Sequence, residues 1–178
     1  QEYEQIFNSV EDSIIIYDPD SLDVVTVNEA YLDLFGYESR STIREQGVSG
    51  LSVTDKGYTE ERGMEVVQRV VEQDRPEVIE WQAKTRDGER IWLEIKVAPG
   101  VIGGERRAIC INRDITERKR REQRLEVFNR ILRHNLRNQL DVIRSYAETL
   151  ADQTDTSHAD RIIAAVDELA AIGAKARE

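Results

Sequence analysis

The chain has 178 residues, 39% of them hydrophobic and 34% charged, with a formal net charge of -10; this suits a soluble protein of one large or two small domains. The acidic balance argues against a nucleic-acid partner, and no apolar run approaches the roughly 18–20 residues that span a bilayer. The single cysteine, Cys110, excludes an internal disulfide framework and any multi-cysteine metal site.

Gln1-Glu2-Tyr3-Glu4 is polar and acidic, unlike a signal peptide. A start without methionine is expected of a segment of a longer protein, and a cytoplasmic location is the expectation. Arginine far outnumbers lysine, and with so much surface acid the composition is that expected of a salt-loving organism.

The chain divides near residue 114. Short strands alternate with short helices before it, and the pattern is helical almost to the end after it. Ser13-Ile14-Ile15-Ile16-Tyr17-Asp18 is a β-branched run that stops at the turn signal Pro19-Asp20. Asp23-Val24-Val25-Thr26-Val27-Asn28 is a second strand, and the two are expected to form a hairpin. Asn28 reads as the N-cap of a helix over residues 29–35, which Gly36 ends from the C′ position. A Gly- and Ser-containing segment follows over residues 39–56. Residues 59–73 are amphipathic, with Met64, Val67, Val70 and Val71 at helical spacing. Three strands come next, over 78–85, 90–98 and 106–113. Asp87-Gly88 marks a hairpin turn in the first gap, and Gly100, Gly103 and Gly104 loosen the second. Ile91, Leu93, Ile95 and Val97 alternate with Trp92, Glu94 and Lys96, as in a half-buried antiparallel strand. Cys110, between Ile109 and Ile111, reads as buried and inert.

This order of elements resembles a PAS domain. The likeness is carried by Ile6-Phe7-Asn8-Ser9 followed by Ser13-Ile14-Ile15, and by Val27-Asn28-Glu29-Ala30 running into Phe35-Gly36-Tyr37. Lys84-Thr85-Arg86-Asp87-Gly88 and the closing Arg113-Asp114-Ile115-Thr116-Glu117-Arg118 complete it. The resemblance covers residues 1–116 and implies an α+β PAS fold, a five-stranded antiparallel sheet with short helices, left through Asp-Ile-Thr into a signalling helix. PAS domains hold haem, flavin or small metabolites, or nothing. Residues 1–116 contain no histidine to ligate a haem. The photoactive flavin subclass uses a cysteine on a mid-domain helix, whereas Cys110 is on the last strand. No cofactor is therefore identifiable. Trp81, Trp92, Tyr31 and Tyr58 either line a pocket or are ordinary core and sheet-face aromatics, which leaves open both a small-molecule signal and a pure protein–protein relay.

In the helical part, Leu125, Phe128, Leu132, Leu136, Leu140, Ile143, Ala147 and Leu150 recur every three or four residues. At about 100° per residue they share an arc of roughly 120°. The repeat is heptad-like, with a shift between Leu132 and Leu140. A helix over about residues 114–152 is roughly 55–60 Å long, and such a length argues for a partner helix in a coiled coil. His134 falls opposite the arc, with Arg130, Arg137, Asn138 and Asp141 on its side; the guanidinium groups suit an anionic phosphate. After a break over residues 151–156, Ser157 with Asp160 reads as a capping-box-like start. Ile162, Val166, Leu169 and Gly173 then form a stripe, flanked by Ile163 and Ala170. Two amphipathic helices joined by a short loop form a hairpin, half of a dimeric four-helix bundle. His158 reads as structural or exposed, without a second ligand for a metal. Arg118-Lys119-Arg120-Arg121 with Arg124 invites comparison with a DNA-contacting basic helix, but Glu117, Glu122 and Glu126 interrupt it, as in a solvated connector.

Residues 120–178 resemble the dimerisation and phosphotransfer (HisKA-like) domain of sensor histidine kinases. The chain then divides into a PAS sensor over 1–116 and a signalling helix with phosphotransfer hairpin over 117–178. The family's box opens with the phosphoacceptor histidine, then an acidic residue, two further positions, Asn or Thr, and proline. The resemblance makes His134 the acceptor and sets Arg137 and Asn138 on the basic and amide positions. Asn135 stands where the acidic residue would be and Gln139 where the proline would be. The His-x-Leu-Arg-Asn box of haloarchaeal members is closer. The implied catalytic group is His134, Asn135, Arg137 and Asn138. Neutral imidazole supplies the nucleophile, and a neighbouring carboxylate would orient the other ring nitrogen and take its proton. Asn135 can orient the ring but cannot act as a base, so slower autophosphorylation or proton loss to water is expected. Asn138 is expected to position a water for dephosphorylation.

The resemblance implies a two-component signalling protein, a homodimer that is phosphorylated on His134 and passes the phosphoryl group to a response-regulator receiver domain. No segment of these residues can be an ATP-binding domain with its glycine-rich and Asp-x-Gly boxes, so ATP and Mg are expected on a catalytic domain outside them, and the chain alone is expected to be inactive. One rival is a non-catalytic PAS dimerisation scaffold with a degenerate phosphoacceptor helix, which Asn135 favours. A basic-helix DNA regulator is another.

Overall fold

The computed structural model describes the backbone over residues 2–153 and 157–175, and side chains over 4–150 and 160–171. It separates into two units, Gln1–Lys119 and Arg120–Glu178.

The first unit is built on the isoleucine run. Strand β1 (Ser13–Tyr17) is buried on both faces: Ile15 and Tyr17 turn into the main core, while Ile14 and Ile16 turn to the other side, where Phe7 of helix α1 (Glu2–Ser9) covers them. Such a strand belongs inside a sheet. It pairs on one edge with β2 (Val24–Val27), as the predicted hairpin, and on the other with β5 (Glu105–Asp114). Adding β4 (Arg90–Ile102) and β3 (Glu77–Lys84) gives a five-stranded antiparallel sheet in the order β2-β1-β5-β4-β3.

The predicted cap at Asn28 is present. Its side chain accepts from Tyr31 N and opens α2 (Glu29–Phe35), and Gly36 closes it in the left-handed conformation at φ 77°. Residues 39–56 contain more structure than their composition suggests. Ser39 caps α3 (Arg40–Gln46), and two 3₁₀ turns follow, Ser49–Leu51 and Thr54–Lys56. Helix α4 (Glu60–Gln73) buries Val66, Val67, Val70 and Val71. Val66 thus joins the predicted stripe, and Met64 is only half-buried. Ile91, Leu93 and Val97 of β4 enter the same core, as the alternation predicts.

Gly100 does not loosen the chain. Strand β4 continues through it to Ile102, which pairs with Glu105. A Cβ on Gly100 would lie 2.7 Å from Cδ1 of Ile109, a diagonal neighbour on β5, since Gly100 itself pairs with Arg107, so the missing side chain leaves room for that methyl group. The turn is made instead by Gly103 and Gly104, both at positive φ (63° and 85°), as a two-residue hairpin requires.

Helix α5 (Thr116–Gln153) begins two residues later than predicted and continues past the expected break at 151. Ala151, Asp152 and Gln153 include no Gly or Pro to stop it. Within the second unit it runs beside α6 (Ser157–Lys175), and Leu140 and Ala147 of α5 and Val166 of α6 are buried. Arg144 of α5 reaches Asp167 of α6 at 2.9 Å. The predicted cap at Ser157, His158 and the stripe position Gly173 lie outside the described side chains.

Candidate functional site

Between the sheet and helices α2 and α4 lies a cavity of about 110 Å³. Its wall is mostly apolar: Ile15, Phe35, Leu51, Met64, Val67, Ile79, Leu93 and Val97, with Trp81 at one side. Polar groups also reach it, namely Tyr17, Tyr31, Ser52, Thr59, Glu60, Cys110 and Asn112. Asn112 is engaged, its Nδ2 donating to Ser13 Oγ at 3.2 Å. Burial pushes the Cys110 thiol up to about 12, so it stays protonated and unreactive, as its apolar flanks imply. Of the four aromatics considered from sequence, Tyr31 and Trp81 line this space. Tyr58 and Trp92 do not; Tyr58 stacks edge-on against both Trp81 (5.1 Å) and Trp92 (5.8 Å). Tyr17 was legible only through strand parity, since it shares the face of Ile15.

The enclosed part of the cavity is smaller than a flavin: it measures about 110 Å³, below the roughly 150 Å³ that holds one benzene ring, and the rest of the space is open to solvent. No Lys or Arg lines it to take a phosphate.

The exit from the sheet is pinned. Ile115 N donates to Trp92 O at 2.8 Å, Trp92 N donates to Thr116 Oγ1 at 2.9 Å, and Thr116 N donates to Asp114 Oδ1 at 2.8 Å. Arg118 bridges to Glu80 and Glu94, and Lys119 to Glu80. Lys119 also lies over the Trp92 ring at 5.5 Å. The first half of the basic run is therefore neutralised by acids of β3 and β4, which disfavours its reading as a phosphate-contacting surface.

On α5, His134, Asn135, Arg137 and Asn138 are all exposed. At about 100° per residue His134 lies opposite Leu125 and Ile143. Its ring meets Asn138, one helical turn on, with Asn138 Nδ2 3.4 Å from His134 Nδ1. Asn135 makes no hydrogen bond to the ring among the described residues; one step along a helix turns it about 100° away. Arg137 faces another way, into the groove between α5 and α6 with Arg133, Asp141 and Arg144. The structure thus brings His134 and Asn138 together and leaves Asn135 and Arg137 to either side. The i, i+4 spacing is the sequence signal for that pair.

The first unit is a five-stranded antiparallel sheet with a small core cavity, its last strand clamped to an outgoing helix. The PAS domain family matches residues 11–117, and the chain belongs to that family. Over 88 residues it is 33% identical to the protein called blue-light-activated histidine kinase in Brucella ovis, a match that covers 49% of this chain and 18% of that one. Among solved structures, the PAS domain of a protein from Colwellia psychrerythraea is 26% identical with a TM-score of 0.54, over 65% of this chain and 96% of that one. The PAS domain of an HTR-like protein from Haloarcula marismortui shares the fold at 21% identity and a TM-score of 0.53, over 64% and 89%. Among the described residues, no helix is long and apolar enough to cross a membrane, and no cluster of His, Cys, Asp and Glu is set to hold a metal.

Proposed function

We propose that this chain is the sensory and phosphoacceptor part of a two-component histidine kinase. The PAS domain receives a signal through its cavity. His134 takes a phosphoryl group from ATP and passes it to a response-regulator receiver domain. ATP and Mg belong to a catalytic domain outside these residues, so the chain by itself is inactive. The observation that carries the reading is the setting of His134: exposed on a long helix, opposite an apolar row, with an amide against Nδ1. The similarity to a histidine kinase supports it. The acidic, arginine-rich composition fits the cytoplasm of a salt-loving organism.

The chemistry depends on the ring tautomer. While Asn138 Nδ2 donates to Nδ1, the ring proton sits on Nε2 and the outward nitrogen has no free lone pair. A half-turn of the amide places Oδ1 on Nδ1–H and frees Nε2 for in-line attack on the γ-phosphorus. As the P–Nε2 bond forms, ADP leaves and the Nδ1 proton passes to water, because an amide is no base. Asn135 adds no carboxylate, which makes this step slow. Arg137 lines the groove between α5 and α6 and not the ring, so any charge it lends the incoming phosphate acts from a distance. Phe128, Leu132, Leu136 and Ile143 are exposed on α5; a second copy covers them in a homodimeric four-helix bundle.

The test supplies the ATP-binding domain of the same protein with labelled ATP and Mg. The intact chain is expected to take an acid-labile label, His134→Gln none, and Asn135→Ala an undiminished amount. An unlabelled intact chain would instead favour the non-catalytic scaffold, the reading that Asn135 supports.

A further inference from the structure

Tyr17 and Tyr31 are 7% and 2% exposed, and both line the cavity. Neither hydroxyl has a hydrogen-bond partner among the described residues. Yet no buried side-chain oxygen or nitrogen there is both sealed and unpartnered, so both hydroxyls keep open surface, and the open space beside them is the cavity. Buried hydroxyls are normally paired. Two of them facing one small space mark the place of an acceptor that the chain itself does not provide.

The character of that acceptor follows from its surroundings. Desolvation, with the nearby Tyr31, Cys110, Glu60 and Tyr37, holds the Tyr17 phenol well above its ordinary range. Desolvation does the same to Tyr31, reinforced by Tyr37 and Cys110. Both therefore carry their protons at neutral pH and act as donors. The charges in the lining point one way: Glu60 is present and Lys and Arg are not. An anion entering here would meet a carboxylate and no cation. The remaining wall is mostly aliphatic and aromatic, with Ser52, Thr59 and Asn112 as its other polar groups, and an enclosed volume of about 110 Å³ with an open side suits a molecule of about one ring.

We propose that the cavity binds an uncharged molecule of about one ring, apolar over most of its surface, whose carbonyl-type oxygen accepts hydrogen bonds from Tyr17 and Tyr31. The inference rests on the reading of the PAS domain as a sensor and is separate from the chemistry at His134.

The test titrates the full ¹⁵N-labelled chain with three probes: cyclohexanone, its hydrocarbon isostere methylenecyclohexane, and the anion cyclopentanecarboxylate. Cyclohexanone is expected to give saturable shifts at the Trp81 indole N–H. Methylenecyclohexane is expected to bind about tenfold more weakly, the factor that one or two recovered hydrogen bonds supply. The carboxylate is expected to leave the spectrum unchanged. Tyr17→Phe and Tyr31→Phe should each bring cyclohexanone toward the hydrocarbon while methylenecyclohexane binds as before, which also shows that the variant cavity is intact. The proposal is overturned by no saturable binding of cyclohexanone, by equal affinity for the two isosteres, by a preference for the carboxylate, or by tyrosine variants that keep the gap. The titration needs no phosphorylation, so an unlabelled His134 would leave it unaffected and the two readings fail separately.

Discussion

Asn28 shows how one side chain can tie distant segments together. It is fully buried, and its Oδ1 accepts from Tyr31 N at 3.0 Å and from Ile14 N at 2.8 Å. Its Nδ2 donates to Phe7 O at 3.2 Å and Asp12 O at 3.0 Å. Asn28→Ala removes a cap and strands backbone groups from three segments, so a loss of about 3 kcal/mol or more is expected. It would be read as a lower urea midpoint at unchanged slope. The sequence disclosed the cap because a cap is local; the partners at 7, 12 and 14 are set by tertiary folding and leave no trace in spacing. A second residue-scale expectation concerns alkali. The Cys110 thiol titrates at about 12 in the folded chain but near 8.5 when unfolded. Below about 8.5 both states hold the proton and the contribution is complete; as pH rises toward 12 only the unfolded state sheds it, so stability falls. The raised Tyr17 and Tyr31 phenols act in the same direction at higher pH. Urea midpoints measured at pH 8 and pH 10.5 should diverge, and Cys110→Ala should narrow the difference. At His134 the sequence suggested Asn135 as the group that orients the ring, whereas the contact is with Asn138. Asn138→Ala is expected to return the ring to the tautomer ratio of free imidazole, read from its ¹⁵N shifts.

At the scale of elements, legibility came from a visible period or, as in the seven-residue α2, from caps at both ends. The alternation in β4 and the valines of α4 are long enough to show a period, and both were readable. Helix α3 has seven residues and the 3₁₀ turns three each, too short for any periodic signal. The glycines of the β4–β5 hairpin were visible, but which of them forms the turn depends on register across the strands. The start of α5 gives a direct test. Thr116 Oγ1 holds Trp92 N, so Thr116→Val should cost about 1 kcal/mol. It should also raise hydrogen exchange at the Trp92 amide while the rest of the sheet stays protected.

For the whole molecule, the strand order was the least legible feature. The pairing of β1 with β5 joins residues nearly a hundred positions apart, such as Ser13 with Asn112, and no local pattern encodes it. The apolar row on α5 was legible, because a stripe at helical spacing survives in a single chain. Phe128 is 57% exposed and Leu132 49%. If a second copy covers them, sedimentation should find a dimer, and Phe128→Glu or Leu132→Glu should yield a monomer whose PAS domain unfolds at the same urea concentration as before.

The chain's two tryptophans both touch Tyr58. Trp81 borders the cavity and Trp92 lies beneath Lys119 at the head of the outgoing helix. The protein therefore carries a built-in pair of optical reporters, one beside its cavity and one at the root of the outgoing helix, linked through a shared phenol ring. Single-tryptophan variants would separate the two emissions and time the passage of a signal from one to the other without any added dye.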